Sequence, residues 1–136
     1  MGFAVIHMMK IGKGGLRGIQ SHNQREKEPH TNPDIDMSRC KDNYELIGGG
    51  NKNYTQEVNQ RINAYAVNTK TVRKDAVVMC NFIVTSDEET MKAMGAEKQR
   101  AYFDDTLKFL GKRYGSELIV NATVHMDETT PHLHVG

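Results

Sequence analysis

The chain has 136 residues, enough for one domain with one hydrophobic core. Hydrophobic residues make up 38% and charged residues 26%, a balance that excludes a disordered chain, and no apolar run approaches the roughly 20 residues that a membrane-spanning helix requires. The formal net charge is only +1, so the overall charge does not by itself indicate a nucleic-acid-binding protein. No signal peptide is recognisable, which predicts a cytoplasmic protein in which Cys40 and Cys80 are reduced, structural thiols.

Strands and helices alternate in the first half of the chain. The short apolar run at residues 3–9 predicts a first strand, and a glycine-rich stretch separates it from a predicted helix at 15–27. Prolines and Asn/Asp residues predict a loop over residues 28–42, and a loop of this length is often functional. Residues 43–48 predict a second, short strand.

The second half of the chain begins with a helix. Apolar residues at helical spacing predict this second helix over residues 54–69. A near-continuous run of apolar and β-branched residues at 75–85 predicts a buried, central strand. A third helix follows, with a break near Gly95 and a main run over residues 97–114.

Two predicted strands, residues 117–126 and 132–136, complete the chain and are joined by a turn. The order of elements is therefore β-α-β-α-β-α-β-β, with a hairpin only at the last connection. This order predicts an α+β fold, a two-layer sandwich in which helices cover an open, mainly antiparallel sheet. Because the last strand is so short, we expect residues 1–136 to be an incomplete piece of a larger domain.

The segment HMDETTPHLH, residues 125–134, predicts a metal site. A six-residue turn places His125 opposite His132 in the hairpin, where paired side chains share one face about 5 Å apart. His132 and His134 are two residues apart on one strand, so they share that face as well. Three histidines with an open position form the ligand set of a catalytic metal.

Two carboxylates lie in the turn of this hairpin. Asp127 and Glu128 are each placed to be a further ligand or to orient a histidine. Imidazole and carboxylate ligands fit several metals, so ligand type leaves hydrolase, oxygenase and nuclease chemistry open. The competing interpretation is a solvated cluster of surface histidines without a metal.

Three motifs in the right order give the chain a resemblance to a known family. The ending HMDETTPHLHVG resembles the third motif of the plasmid mobilisation relaxases of the Mob/Pre (MobV) family, which belong to the HUH endonucleases. SHNQR at residues 21–25 and NYEL at residues 43–46 are similar to the first and second motifs. On this resemblance the chain is expected to be an N-terminal relaxase (nuclease) domain whose fold is shared with rolling-circle replication initiators.

The resemblance implies an activity and a location. Such relaxases cut one DNA strand at the origin of transfer, stay covalently attached to the 5′ phosphate and later rejoin the strand. They are plasmid-encoded bacterial proteins of the cytoplasm. They use a divalent metal, for which manganese is the first expectation here and magnesium the second. The expected partner is single-stranded or supercoiled plasmid DNA, and a C-terminal region beyond this sequence is expected to support dimerisation.

The same resemblance assigns roles to individual residues. His125, His132 and His134 match the family's metal ligands, and Glu128 matches the acidic residue of the third motif. His22 matches the nucleophile of the Mob/Pre family, which would form a phosphoramidate.

Two residue types compete for the nucleophilic role. Most other HUH enzymes use a tyrosine, which makes Tyr44 the rival of His22. A neutral imidazole is already nucleophilic near pH 7, whereas a tyrosine must first lose a proton. We therefore favour His22. A replication initiator that uses Tyr44 is the first alternative, and a non-catalytic, metal-stabilised DNA-binding module is the second.

Basic residues near the N-terminus are the remaining candidates. Arg25 lies three residues after His22, so on a helix it would share a face with His22 and clamp the same phosphate. Lys10, Lys13 and Arg17 are predicted to contact the backbone of single-stranded DNA.

Overall fold

The structure, a computed structural model, describes residues 4–26, 35–48, 52–65 and 73–136. The strands are β1 (Ala4–Gly12), β2 (Tyr44–Glu45), β3 (Val77–Ser86), β4 (Ala122–His125) and β5 (His132–Val135). The α-helices are α1 (Leu16–Gln24), α2 (Tyr54–Tyr65) and α3 (Glu88–Tyr114). Short 3-10 helices occupy Lys13–Gly15, Met37–Asp42 and Ser116–Leu118.

The strands form one open sheet in the order β1-β3-β5-β4-β2, and every neighbouring pair is antiparallel. The pairing of β1 with β3 runs from Ala4 opposite Ser86 to Gly12 opposite Val77. The predicted α+β fold with an open antiparallel sheet covered by helices is confirmed. The prediction that β3 is an interior strand is confirmed as well, because β3 lies between β1 and β5.

The two faces of the sheet have different coverings, which the sequence pattern did not reveal. On one face, buried side chains from β3, β4 and β5 pack against α3 and form the main core. This core contains Val84, Met91, Phe103, Leu110, Ile119, Ala122, Val124, Leu133 and Val135. On the other face, α1 and α2 pack beside Met79 of β3 through Leu16, Tyr54 and Val58. Residues that alternate away from the α3 core therefore face α1.

The start and the kink of helix α3 are each set by one residue. The side chain of Asp87 caps the N-terminus by accepting a hydrogen bond of 3.0 Å from the Thr90 N–H. Within the helix, Gly95 has φ 74 and ψ 168, a conformation that is open to glycine but costly for other residues. The break predicted near Gly95 is thereby confirmed.

Several element boundaries differ from the predictions. The strand predicted at 43–48 is only two residues long, because after Glu45 the chain keeps a single link to β4, from the Leu46 N–H to the Ala122 oxygen at 2.8 Å. The strand predicted at 117–126 begins only at Ala122, because the chain first makes the 3-10 turn Ser116–Leu118. Cys80, predicted to be a structural thiol, is exposed.

Other predictions fall partly outside the described residues. This applies to residue 3 of the first strand, to 27 of the first helix, to 28–34 of the long loop and to 66–69 of the second helix. Among the residues that the structure describes, none of the helices combines the length and apolar character that crossing a membrane would demand.

Candidate metal centre

The β4–β5 hairpin brings three imidazoles together, in the predicted register. His125 is paired directly with His132, and His134 follows on the same face of β5. The ring centroids of His125 and His132 lie 5.2 Å apart, those of His125 and His134 4.7 Å, and those of His132 and His134 4.8 Å. Because this face lies away from the α3 core, the three rings meet in the layer that contains α1.

The main chain fixes the tautomer of His125. Its Nε2 lies 2.8 Å from the main-chain oxygen of Asn23, and a carbonyl oxygen can only accept, so Nε2 must carry the hydrogen. In the neutral ring Nδ1 is then a free acceptor, and it is buried with no hydrogen-bond partner among the described residues. His125 therefore presents a lone pair to the cluster, as a metal-binding histidine does when its other ring nitrogen donates to a main-chain oxygen.

His132 is oriented in a comparable way. Its Nδ1 lies 2.9 Å from the main-chain oxygen of Thr130, so Nδ1 is the donor and Nε2 faces the cluster. Nε2 lies 3.0 Å from Oε2 of Glu128. A lone pair and a carboxylate oxygen repel at this distance, so Nε2 either carries a second proton or shares a cation with Glu128.

His134 is deeply buried, like His125. It is 3% exposed, and both of its ring nitrogens are buried without a hydrogen-bond partner in the described part of the chain. Leaving buried polar atoms unsatisfied costs about 1–3 kcal/mol each, a cost that metal ligation would remove for one of the two nitrogens. Orphaned imidazole nitrogens beside a carboxylate are the donor set of a divalent metal, so the residues present fit such an ion.

Electrostatics keep these groups ready to bind a cation. Burial lowers the pKa of His125 to about 3, and burial together with the charge of neighbouring groups holds the pKa of His134 well below its ordinary value. Both rings are therefore neutral at neutral pH and offer lone pairs. The hydrogen bond with His132, together with the nearby Arg25, lowers the pKa of Glu128 to about 2, so this carboxylate is ionised.

Helix α1 adds a fourth imidazole to the cluster. The His22 ring centroid lies 5.5 Å from that of His125 and 5.4 Å from that of His134. Burial and the nearby charge of Arg25 lower the pKa of His22, so its ring is neutral at neutral pH. Buried Asn23 positions this part of the helix, because its Nδ2 donates to the Tyr54 hydroxyl at 3.2 Å while its main-chain oxygen accepts from His125.

Two overlapping donor groups result, and they share His125. In each group the ligand atoms lie within 4.8 Å of one another. The groups are His22, His125 and His134, and His125, Glu128 and His132. Geometry therefore allows His22 two roles, a further ligand or a nucleophile beside a metal held by the other residues.

The structure does not place Arg25 as a phosphate clamp. Its Nε and Nη2 donate to the two oxygens of Asp127 at 2.8 Å each, and Nη2 also donates to Glu128 Oε2 at 3.0 Å. The Arg25 side chain is only 7% exposed. The helical spacing predicted a shared face with His22, but α1 ends at Gln24 and Arg25 adopts the left-handed conformation, with φ 53 and ψ 47. Arg25 thus turns inward to bind protein carboxylates.

Tyr44 lies on the opposite face of the sheet from the histidines. It is paired with Val124 of β4, which belongs to the α3 core, and its ring packs against that core. The guanidinium of Arg100 on α3 lies 4.9 Å from the Tyr44 ring centroid. Burial raises the pKa of the Tyr44 hydroxyl, so the group is also harder to deprotonate. The structure therefore separates the rival nucleophile from the metal ligands.

The other predicted DNA contacts lie outside the cluster. Lys10 is paired with Cys80 and alternates toward the α3 face, away from the histidines. Lys13 and Arg17 are exposed, at the start of α1 and on its outer side. Arg17 lines a polar groove between α1 and α2 together with Gln20, Glu26, Asn53, Thr55, Gln56, Asn59, Gln60 and Asn63.

Three features of the site were beyond sequence reasoning. Asp127 is fully buried and its oxygens accept from Arg25, Cys40 and Asn43, while neither donor group of the cluster includes it. Cys40 and Asn43 both donate to Asp127, although each lies more than 80 positions earlier in the chain. A cavity of about 310 Å³ opens beside the cluster and is lined by His22, Ile83, Thr85, Glu128, Thr130, His132 and His134.

Comparisons with known proteins agree with the geometry. A family model described as Mob_Pre, plasmid recombination enzyme, matches residues 1–136. A plasmid recombination enzyme of Bacillus sp is 43% identical over 136 residues, which cover 100% of this chain and 33% of the relative. A type 2 plasmid recombination enzyme of Staphylococcus aureus is 40% identical, with 100% and 32% covered. The chain thus spans about a third of the length of these curated relatives.

Solved structures show the same fold. The MobM relaxase domain in its Mn-bound complex with pMV158 oriT DNA (22 nucleotides with a 3′ thiophosphate) has a TM-score of 0.93 and 36% identity, covering 98% of this chain and 69% of that chain. The same domain bound to 26-nucleotide oriT DNA has a TM-score of 0.80 and 30% identity, with 98% and 67% covered.

Proposed function

Because the chain belongs to the Mob/Pre family of plasmid recombination enzymes, we propose that it nicks and rejoins one strand of plasmid DNA at an origin of transfer, through a covalent bond to His22. The observation that carries this proposal is the position of His22. Its neutral ring lies 5.4 Å from that of His134, at the edge of a cluster whose other rings present unpaired nitrogens. The proposed biological outcome is the start of plasmid mobilisation by conjugation.

The metal would be held by the hairpin. His125, His132, His134 and Glu128 supply three imidazole nitrogens and a carboxylate oxygen, and the Mn-bound MobM structures favour manganese, with magnesium as the alternative. When bound, a divalent ion polarises the scissile phosphate and stabilises the charge that develops on it. Arg25 does not supply that contribution, since it is engaged by Asp127 and Glu128.

His22 would supply the nucleophile. A lone pair on its neutral ring attacks phosphorus, a P–N bond forms, and the bond from phosphorus to the 3′ oxygen breaks. The ring loses its proton and the departing 3′ oxygen gains one, which leaves a 3′ hydroxyl and a 5′ phosphoramidate on the protein. Rejoining is the reverse of this step: the 3′ oxygen attacks phosphorus and His22 leaves.

The location of Tyr44 favours His22 over tyrosine chemistry. A tyrosine nucleophile needs to reach the phosphate and to lose a proton, but Tyr44 packs on the α3 face and burial raises its pKa. The replication-initiator alternative is therefore the weaker one. Cytoplasmic location and dimerisation through a further C-terminal region stay predictions.

The decisive experiment detects the covalent adduct. Labelled single-stranded oligonucleotides tiled across the plasmid that encodes the chain are incubated with the protein and Mn²⁺, and a denaturing gel shows whether one band contains both protein and DNA. We expect an adduct with wild-type protein and with Tyr44→Phe, and none with His22→Ala. Phosphoramidate links are acid-labile, so acid treatment should release the DNA.

Other outcomes would point to the alternatives. An acid-stable adduct that survives His22→Ala and disappears with Tyr44→Phe would indicate the replication-initiator chemistry. No adduct with any divalent metal, together with metal-dependent DNA binding, would indicate the non-catalytic DNA-binding module.

A further inference from the structure

We propose that Asp127 is a positioning residue that sets His22 against the metal ligands, acting through Arg25. This inference rests on the proposed function. It extends that function to Asp127, which has no hydrogen bond to the ring nitrogens of His22, His125, His132 or His134 in the described part of the chain. Asp127 is 0% exposed and lies in the turn between the two strands that carry the ligands. Its carboxylate links this turn to the end of α1 and to residues 36–43.

The first link runs to the helix that carries His22. Asp127 Oδ1 accepts from Nη2 of Arg25, and Oδ2 accepts from Nε, each at 2.8 Å, so the ion pair is bidentate and fixes direction as well as distance. Arg25 is the C-cap residue that follows Gln24, the last residue of α1, and its Nη1 donates to the main-chain oxygen of His22 at 3.0 Å. The guanidinium therefore holds the last turn of α1 against the hairpin that supplies the metal ligands.

The second link immobilises Asp127 itself. Its Oδ2 also accepts from the Cys40 thiol at 3.0 Å and from Asn43 Nδ2 at 2.9 Å, and its main-chain oxygen accepts from the Asp36 N–H at 2.6 Å. Asn43 Oδ1 in turn accepts from the Met126 N–H at 2.6 Å. With one donor on Oδ1 and three on Oδ2, the carboxylate is held in one orientation by protein groups.

The same guanidinium also orients Glu128. Nη2 of Arg25 donates both to Asp127 and, at 3.0 Å, to Glu128 Oε2, the oxygen that lies 3.0 Å from His132 Nε2. A shift of Arg25 would therefore move His22 and Glu128 together. A displacement of about 1 Å at a reacting group costs on the order of 100-fold in rate, even when the substituted residue is remote from the chemistry.

A carboxylate is required at position 127 for two physical reasons. Arg25, Cys40 and Asn43 all donate hydrogen bonds to the Asp127 carboxylate. The NH₂ group of an asparagine would replace one accepting oxygen by a donor, so that two donors would face each other. Loss of the negative charge would also leave the nearly buried Arg25 with Glu128 as its only carboxylate partner among the described residues, and Glu128 would be drawn away from His132.

The test separates chemistry from binding. Asp127→Asn and Arg25→Lys are compared with wild type in single-turnover adduct formation at saturating Mn²⁺ and oligonucleotide, with the affinities for Mn²⁺ and for uncut DNA measured separately. We expect the rate to fall about 100-fold for Asp127→Asn, with the affinity for uncut DNA within about threefold of wild type. The Mn²⁺ affinity should fall by less than about tenfold, because Glu128 shifts while the three imidazole ligands stay in place. Arg25→Lys keeps a cation but loses the bidentate geometry, so we expect at least a tenfold fall in rate, with the affinity for uncut DNA near the wild-type value.

Glu57→Gln is the matched control. Glu57 of α2 is another carboxylate paired with an arginine, because its Oε2 accepts from Nη1 of Arg61 at 2.7 Å, and in the described part of the chain it makes no hydrogen bond or ion pair with Arg25. We expect its adduct rate to stay at the wild-type value at a temperature where it is folded. If Asp127→Asn does not fold, as judged by circular dichroism, Arg25→Lys decides.

Each result has one meaning. A wild-type rate in a folded Asp127→Asn or Arg25→Lys variant overturns the positioning role. A loss of Mn²⁺ affinity as large as the loss of rate also overturns it, because a change in the metal site would then explain the whole effect. If the wild-type protein forms no adduct, both the proposed function and the positioning role are wrong. If the wild-type protein forms the adduct and the two variants form it at the same rate, only the positioning role is wrong.

Discussion

The ring of His125 donates a hydrogen bond of 2.8 Å from Nε2 to the main-chain oxygen of Asn23, the residue that follows His22. This contact spans 102 positions of sequence and does two things. It fixes the tautomer that leaves Nδ1 of His125 free, and it docks α1 so that His22 reaches the cluster. The proposed metal ligand and the proposed nucleophile are therefore placed by the same bond.

Metal binding should stabilise the fold. At a Mn²⁺ concentration 100 times its Kd, the free energy of unfolding should rise by about 2.7 kcal/mol, and a chelator should remove this gain. His134→Ala should lose most of the Mn²⁺-dependent increase in melting temperature, because it removes a buried ligand. His7→Ala, an exposed histidine of β1, is the control and should keep the increase. Equal stabilisation of wild type and His134→Ala would contradict the proposed ligand set.

The role of His22 can be distinguished from that of a ligand. If His22 is the nucleophile, His22→Ala should abolish adduct formation while the Kd for Mn²⁺, measured by calorimetry, stays within about threefold of wild type. If His22 completes the donor group with His125 and His134, the same variant should bind Mn²⁺ much more weakly. A large loss of Mn²⁺ affinity would therefore remove His22 from the nucleophilic role.

The anchor of α1 can be weakened without touching the histidines. Tyr54→Phe removes the acceptor of the buried Asn23 Nδ2, which should lower the free energy of unfolding by about 1–3 kcal/mol. Tyr65→Phe is the matched control on the same helix, because Tyr65 is 54% exposed, and it should change stability by less than about 0.5 kcal/mol. Urea unfolding curves give both values, and equal stabilities would show that the Tyr54 contact does not anchor α1.

Packing in the core behind the histidine strand β5 should affect both stability and Mn²⁺ affinity. Leu133 is 0% exposed and alternates with His132 and His134 on β5, so Leu133→Ala should cost about 2–5 kcal/mol of stability through the cavity it leaves. Because the cavity lies directly behind the ligand strand, Mn²⁺ affinity should fall as well. Leu118→Ala, at a residue 43% exposed, should leave stability and Mn²⁺ affinity near wild type. Unchanged Mn²⁺ affinity in Leu133→Ala would show that β5 tolerates the cavity.

Local patterns were enough to predict the hairpin and most of the elements around it. The pairing of His125 with His132 follows from the turn length and strand alternation, both of which involve neighbouring residues only. The break at Gly95 is likewise local, since it depends on the backbone freedom of one residue. The length of β2 was overestimated because it depends on how many residues of β4 are free to pair with it. The sequence of residues 43–48 carries no information about that number.

The sequence could not show where the side chains of Arg25 and Tyr44 point, and the reason is the same for both. Helical spacing predicted that Arg25 shares a helix face with His22, but α1 ends at Gln24, one residue before Arg25. The Arg25 guanidinium instead pairs with the buried carboxylate of Asp127, near the other end of the chain. Tyr44 belongs to a recognised motif, but its partner on β4 turns it toward α3. In both cases the outcome was decided by residues about 80 or more positions away.

By itself the sequence determined the hairpin that carries the candidate metal ligands, the order of the elements and the family, because these depend on residue type and on spacings of a few residues. Only the tertiary structure decided which side chain stands beside the ligands. His22 reaches them because α1 packs on the ligand face of the sheet and is held there by Asn23 and Asp127. That placement is a sum of long-range packing and buried hydrogen bonds, and no local pattern encodes it.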